Sequence, residues 1–271
     1  MKCPRCGAEV PNTSRYCPGC GADLGIPIDT TQRRNTTRLA SGGGLLLGAA
    51  ARQARREAAY DEAELIGERA YNGILLGVLL WGLVVNVLLC VWAGGVLRYL
   101  NPLVVMIGYF VCAFIGIRIA AKSRRPLISF LGYNLVVVPF GLVISLMVEA
   151  YGGIGSSIVT EAFVYTMLIA GGMGAVVMIA PGLFAKLGGA LLGCLVGLLI
   201  CEIALLLFRV EQNVTDWAAA GLFSLYIGYD IYRSQQFPRT VDNAVDCALD
   251  IYLDLANLFS RLLEIMDKRD D

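Results

Sequence analysis

Two aspartates sit singly inside long apolar stretches near the end of the chain, and carboxylates in that setting can bind a cation or store a proton. Asp230 closes the run Trp217-Ala-Ala-Ala-Gly-Leu-Phe-Ser-Leu-Tyr-Ile-Gly-Tyr-Asp230, and Asp254 lies within Ala248-Leu-Asp-Ile-Tyr-Leu-Asp254-Leu-Ala-Asn-Leu-Phe259. An ionised carboxylate placed in hydrocarbon costs about 2.5–3.5 kcal/mol even on a lenient insertion scale, so such residues face a bundle interior, a partner or water. Asp242, Asp246, Asp250 and Asp254 recur every fourth residue and share one helix face, where like charges repel. For Asp242 and Asp246 the favoured reading is a solvated cytoplasmic helix end. For Asp250 that reading and a place in a cation path weigh equally. Arg118, near the end of an earlier apolar run, matches Asp230 in expected depth and is the candidate counter-ion. Glu202 is also well inside a run, and its partner is not legible from spacing.

A second constellation opens the chain. Cys3-Pro-Arg-Cys6-Gly7 and Cys17-Pro-Gly-Cys20-Gly21 are two Cys-x-x-Cys-Gly knuckles, and four thiolates at this spacing make a closed tetrahedral zinc site. The sequence contains no His, which excludes a mixed Cys and His site. A closed site has no open position for a reacting water, so its zinc is structural. Two disulfides are the competing reading, and they need an oxidising compartment. Cys90, Cys112, Cys194, Cys201 and Cys247 are single residues in apolar runs and read as small core side chains.

The elements that must position these groups are membrane helices. Hydrophobic residues make up 57% of the chain and mean hydropathy is +0.65, well above a soluble domain. Seven stretches approach the roughly 20 residues that a span needs: 71–92, 99–121, 127–148, 158–181, 187–208, 217–234 and 244–266. Residues 1–24 form the zinc module, 25–70 a linker with a juxtamembrane helix, and 71–271 the transmembrane domain. Arg and Lys are richer before the first span and after the even-numbered ones, which places the N-terminus in the cytoplasm and the C-terminus outside. No cleavable signal peptide is visible. The spacing Gly189-x-x-x-Gly193-x-x-x-Gly197 predicts a small-residue face for close helix packing. Net charge is zero, and nucleic acid is not an expected partner.

Gly221-Leu-Phe-Ser-Leu-Tyr-Ile-Gly-Tyr-Asp230 and Asp250-Ile-Tyr-Leu-Asp254-Leu-Ala-Asn-Leu-Phe259 resemble the paired C-terminal signatures of the Bax-inhibitor family, the transmembrane Bax-inhibitor-motif proteins. Glu161-Ala-Phe163 is similar as well. The resemblance implies an all-α membrane protein of seven transmembrane helices, with the last helix central and ringed by the other six. It implies that Asp230 and Asp254 pair as a pH-sensitive couple, and that a basic residue near the end of helix two, Arg118 or Lys122, pairs with one of them. It further implies a pH-dependent calcium leak, with calcium as the transported ion, and for some members binding to a membrane-anchored protease. The first 24 residues resemble the short zinc ribbons at the start of many prokaryotic membrane proteins, which implies a prokaryotic plasma membrane and a ribbon available for docking.

The runner-up function is a regulatory membrane protein that binds a protease or stress-response partner without conducting ions. An enzyme is not expected. Tyr229-Asp230 matches half of an intramembrane aspartyl protease pattern, but Asp254 follows Tyr-Leu rather than Gly-x-Gly.

Overall fold

The computed structural model describes residues 2–5, 7, 9–10, 56, 64–97, 99, 101–122, 125–208 and 213–270. Among these, eight helices follow in order: α1 (Glu68–Leu97), α2 (Pro102–Lys122), α3 (Pro126–Ala150), α4 (Ser157–Ile179), α5 (Pro181–Phe184), α6 (Gly188–Phe208), α7 (Asn213–Ser234) and α8 (Val241–Asp270). Proline opens α2, α3 and α5, where its missing N–H is not needed and its fixed φ already suits a helix. Pro181 thus separates the single turn of α5 from α4, so the fourth apolar stretch ends at Ile179.

Seven helices have spanning length, and five of them (α1, α2, α3, α4 and α6) are also apolar enough to cross a membrane. Their outward faces carry exposed side chains such as Leu80, Val84, Phe110, Phe114, Ile200 and Leu206. In water this would be costly; against lipid tails it is the stable arrangement. α7 and α8 fall short on composition, and α8 shows why. It runs for 30 residues, about 45 Å at 1.5 Å per residue, and is enclosed by α1, α3, α4 and α7. Its Leu249, Tyr252, Leu258 and Leu263 are fully buried. A helix covered by protein can carry charge that a lipid-facing helix cannot. The expected ring of six around it is corrected to four close neighbours: α2 packs chiefly on α3, and α6 chiefly on α7.

The inner packing is aromatic and locally very close. Tyr252 of α8 meets Tyr133 and Phe140 of α3 edge-on, with ring centroids 6.0 and 6.4 Å apart. Its hydroxyl accepts a 2.7 Å hydrogen bond from Asn86 Nδ2 of α1. α2 and α3 approach at Gly116 and Gly132, where a Cβ on either would lie 2.7 or 2.8 Å from the other's carbonyl oxygen. The predicted packing face on α6 behaves differently: a Cβ at Gly189, Gly193 or Gly197 would meet nothing within 4 Å. Among the described residues, glycine meets glycine across helices between α2 and α3.

Candidate functional site

At the N-terminus the described part of the first knuckle turns backbone amides toward Cys3. The Arg5 amide donates to Cys3 Sγ at 3.4 Å, and the Gly7 amide donates to the Cys3 carbonyl at 2.9 Å. Gly7 takes φ +74°, a conformation glycine reaches without Cβ strain. An amide aimed at the sulfur stabilises a thiolate, so the described part fits a zinc knuckle. Cys6, Cys17 and Cys20 lie outside the described residues.

The chain's main carboxylate cluster forms where α7 and α8 cross. Asp230 and Asp254 come from these two helices and lie near enough for the charge on one to act on the other. Asp254 is 8% exposed and its Oδ2 meets no hydrogen-bond partner among the described residues, whereas Asp230 is half-buried. A symmetric turn between the helices would leave Asp254 deeper than Asp230. Tyr71 of α1 explains how the difference closes. Its hydroxyl donates to the Ser234 carbonyl at 2.8 Å and lies 3.6 Å from Cys247 Sγ, so the last residue of α7 is level with the second turn of α8. The start of α8 runs past the end of α7. From that common level Asp230 is four residues along one helix and Asp254 seven along the other, a difference of about 4.5 Å in rise.

The rest of the acidic ridge is not a solvated helix end. Asp242 and Asp246 are each 2% exposed. Asp242 accepts a short hydrogen bond from the Ser129 hydroxyl of α3. Arg56, from the linker, enters between the next two carboxylates: Nη1 lies 2.5 Å from Asp250 Oδ2, Nε 3.4 Å from Asp246 Oδ2, and Nη2 donates to the Asp246 carbonyl at 3.0 Å. Its guanidinium also stands 5.6 Å from the centroid of the Phe237 ring. Burial works against the charge on Arg56, but Asp250, Cys247 and Asp246 together outweigh it and raise its pKa well above the ordinary guanidinium value. Arg56 is therefore a permanent cation. The cations whose fields reach Asp230 are Arg233 and Arg56.

Arg118 does not take the role expected of it. It is exposed on α2, with its guanidinium 4.5 Å from the centroid of the Phe114 ring. α2 packs chiefly on α3 and so stands outside the ring around α8, which puts matched depth and contact at odds. The side chain of the alternative, Lys122, lies outside the described residues. Sequence reasoning passed over Arg56 because it lies in the Ala, Glu and Arg mixture before the first span, where basic residues ordinarily meet lipid headgroups.

The other end of α8 holds a second network. Arg261 reaches Glu202 of α6 at 2.6 Å, Asp216 of α7 at 3.2 Å and Glu264 of its own helix at 3.2 Å. Lys268 adds a 2.7 Å bond to Asp216, and Arg269 a 2.8 Å bond to Glu161 of α4. The partner that spacing did not give Glu202 is thus Arg261, two turns beyond Asp254. Among the described residues, no group of three or more Cys, Asp or Glu is set to hold a metal ion.

A zinc-ribbon domain family matches residues 2–24. The family described as "Inhibitor of apoptosis-promoting Bax1" matches residues 65–271, which carry the eight described helices and every acid of the two ionic networks, while Arg56 lies ahead of the match. Two uncharacterized proteins from Helicobacter pylori, strains ATCC 700392 / 26695 and J99, are each 29% identical over 161 residues, covering 58% of this chain and 67% of the relative. The chain is a multi-pass membrane protein of the Bax-inhibitor family, with a zinc ribbon ahead of the membrane domain.

Proposed function

We propose that this protein is a pH-sensitive calcium leak in the prokaryotic plasma membrane, with its N-terminus in the cytoplasm. The observation that carries the reading is the meeting of Asp230 and Asp254, one from each of the last two helices, inside a bundle whose outer faces are apolar. Two carboxyl groups near enough for the charge on one to act on the other titrate as one unit. Gain or loss of a shared proton changes the charge between α7 and α8, and so the contact that holds these helices together. With no His in the chain, an interacting acid pair is its natural means of responding near neutral pH. Calcium prefers oxygen ligands, which Asp250, Asp254 and helix carbonyls exposed by re-packing would supply. A leak needs weak sites that release the ion, so few ligands suit it.

The zinc ribbon favours a second reading, in which the protein restrains a membrane protease or stress-response partner docked on the ribbon, and the aspartates set only its conformation. The ribbon would hold one structural zinc through Cys3, Cys6, Cys17 and Cys20. Reconstitution separates the two readings. Purified protein in calcium-indicator liposomes should pass calcium at a rate that varies with pH. No flux above protein-free liposomes at any pH would sink the leak and leave the regulatory reading.

A further inference from the structure

We propose that Arg56 is a tethered counter-cation: its guanidinium occupies the Asp246–Asp250 position on α8 that a permeating cation would otherwise enter, and so links the N-terminal segment to the carboxylate cluster. The part concerning ion flow rests on the leak reading; the occupancy does not.

A guanidinium whose side chain is 4% exposed persists only where every face is matched. Here two carboxylates and a backbone carbonyl take its N–H groups, and the Phe237 ring lies beside its plane. The backbone is fixed as well. Asn243, itself fully buried, donates from Nδ2 to the Arg56 carbonyl at 3.3 Å and to the Pro238 carbonyl at 2.9 Å. Held at both side chain and main chain, Arg56 is part of the α8 packing rather than a surface residue that happens to lie near acid. In sequence it stands between the zinc-ribbon match, which ends at residue 24, and the membrane-domain match, which begins at 65.

The charge pattern gives the contact its consequence. Asp230, Asp246, Asp250 and Asp254 follow one another along the α7–α8 crossing, and the fields of Arg56 and Arg233 reach Asp230 there. Arg233 also lies over the Tyr229 and Phe237 rings, at 5.9 and 5.3 Å. Removing the Arg56 charge would take from Asp246 and Asp250 a cation that both now bond, and carboxylate oxygens suit a divalent cation. Anything that withdraws Arg56, such as a partner engaging the zinc ribbon, would have the same effect.

Cys247 reports on this contact independently of flux. It is 3% exposed, follows Asp246 directly and packs against Tyr71. In the full-length protein, alkylation of Cys247 by N-ethylmaleimide can be followed by peptide mass spectrometry. Arg56→Gln should speed that alkylation by at least about tenfold, because local opening sets the reactivity of a buried thiol. It should also raise calcium flux several-fold at neutral pH. Arg56→Lys, which keeps the charge, should stay nearer the wild type in both readouts. Arg56→Gln combined with Asp250→Asn should be protected better than Arg56→Gln alone, and it replaces the single variant as the test if the latter does not fold. Wild-type alkylation rates in a folded Arg56→Gln would overturn the proposal, as would a double variant alkylated no more slowly than Arg56→Gln or, where Arg56→Gln does not fold, a double variant that does not fold either. Faster alkylation with unchanged flux, in a protein whose wild type conducts, would overturn Arg56 as regulator of the path. If the wild type passes no calcium, the leak reading fails on its own, and alkylation alone decides whether Arg56 seals α8.

Discussion

The two ends of α8 are built from the same charges arranged in opposite senses. At the C-terminal end the bases are on α8, and the acids come mostly from its neighbours: Glu202 on α6, Asp216 on α7 and Glu161 on α4. At the N-terminal end the acids are on α8, and a base is brought in from the linker. The first arrangement ties three outer helices to the central one, and Asp216 alone receives both Arg261 and Lys268. In the second, the described base is Arg56, from a segment remote in sequence, and close by lies Asp254, whose Oδ2 meets no hydrogen-bond partner among the described residues. One end is therefore a clamp, and the other is where a change of charge has somewhere to act.

The largest effect is expected at the clamp. Arg261→Gln leaves Glu202, Asp216 and Glu264 without their shared cation, and breaking a buried pair from one side costs about 3–5 kcal/mol. Arg261 is 21% exposed, so the loss should fall toward the lower part of that range. Thermal unfolding in detergent should show a clear drop in midpoint while the pH profile of flux keeps its shape; a changed profile would mean that the two ends are not separable. Ser129→Ala is the intermediate test at the other end. It removes the hydroxyl that donates to buried Asp242, a loss of about 1–1.5 kcal/mol for one buried hydrogen bond. An unchanged midpoint would show that Asp242 has water or another donor in place of Ser129. The smallest effect belongs to Arg118→Ala. Its stacking on Phe114 is exposed and is worth about 0.5–1 kcal/mol. Neither the pH profile nor Cys247 reactivity should move, and a shift in either would return Arg118 to the site.

The contrast between the ends also explains what could be read in advance. The apolar runs marked seven helices of spanning length, because hydropathy over 20 residues is a local property. Asp230 and Asp254 stood out because an acid in an apolar run is conspicuous wherever the run goes. The two knuckles were legible because cysteine spacing is nearly a drawing of the site. What failed were inferences about neighbours. Arg118 and Asp230 match in depth, but depth does not say which helices touch, and α2 stands outside the ring around α8. Asp242 and Asp246 resemble a solvated helix end until the start of α8 is known to run past α7 and become covered. Gly189, Gly193 and Gly197 carry a packing pattern, yet no neighbour among the described residues meets it, while unremarkable Gly116 and Gly132 make a close contact. Arg56 was hidden by its context, since one basic residue among several before a first span carries no local mark.

Whether Asp230 and Asp254 work as one protonation unit can be read from calcium flux across a pH series in proteoliposomes. Wild type, Asp230→Asn, Asp254→Asn and the double variant should be measured side by side at equal reconstitution. Wild-type flux should vary with pH, each single variant should show a flattened profile, and the double variant should change little further, because coupled sites are not additive. Two single variants that each retain the wild-type profile would contradict that coupling.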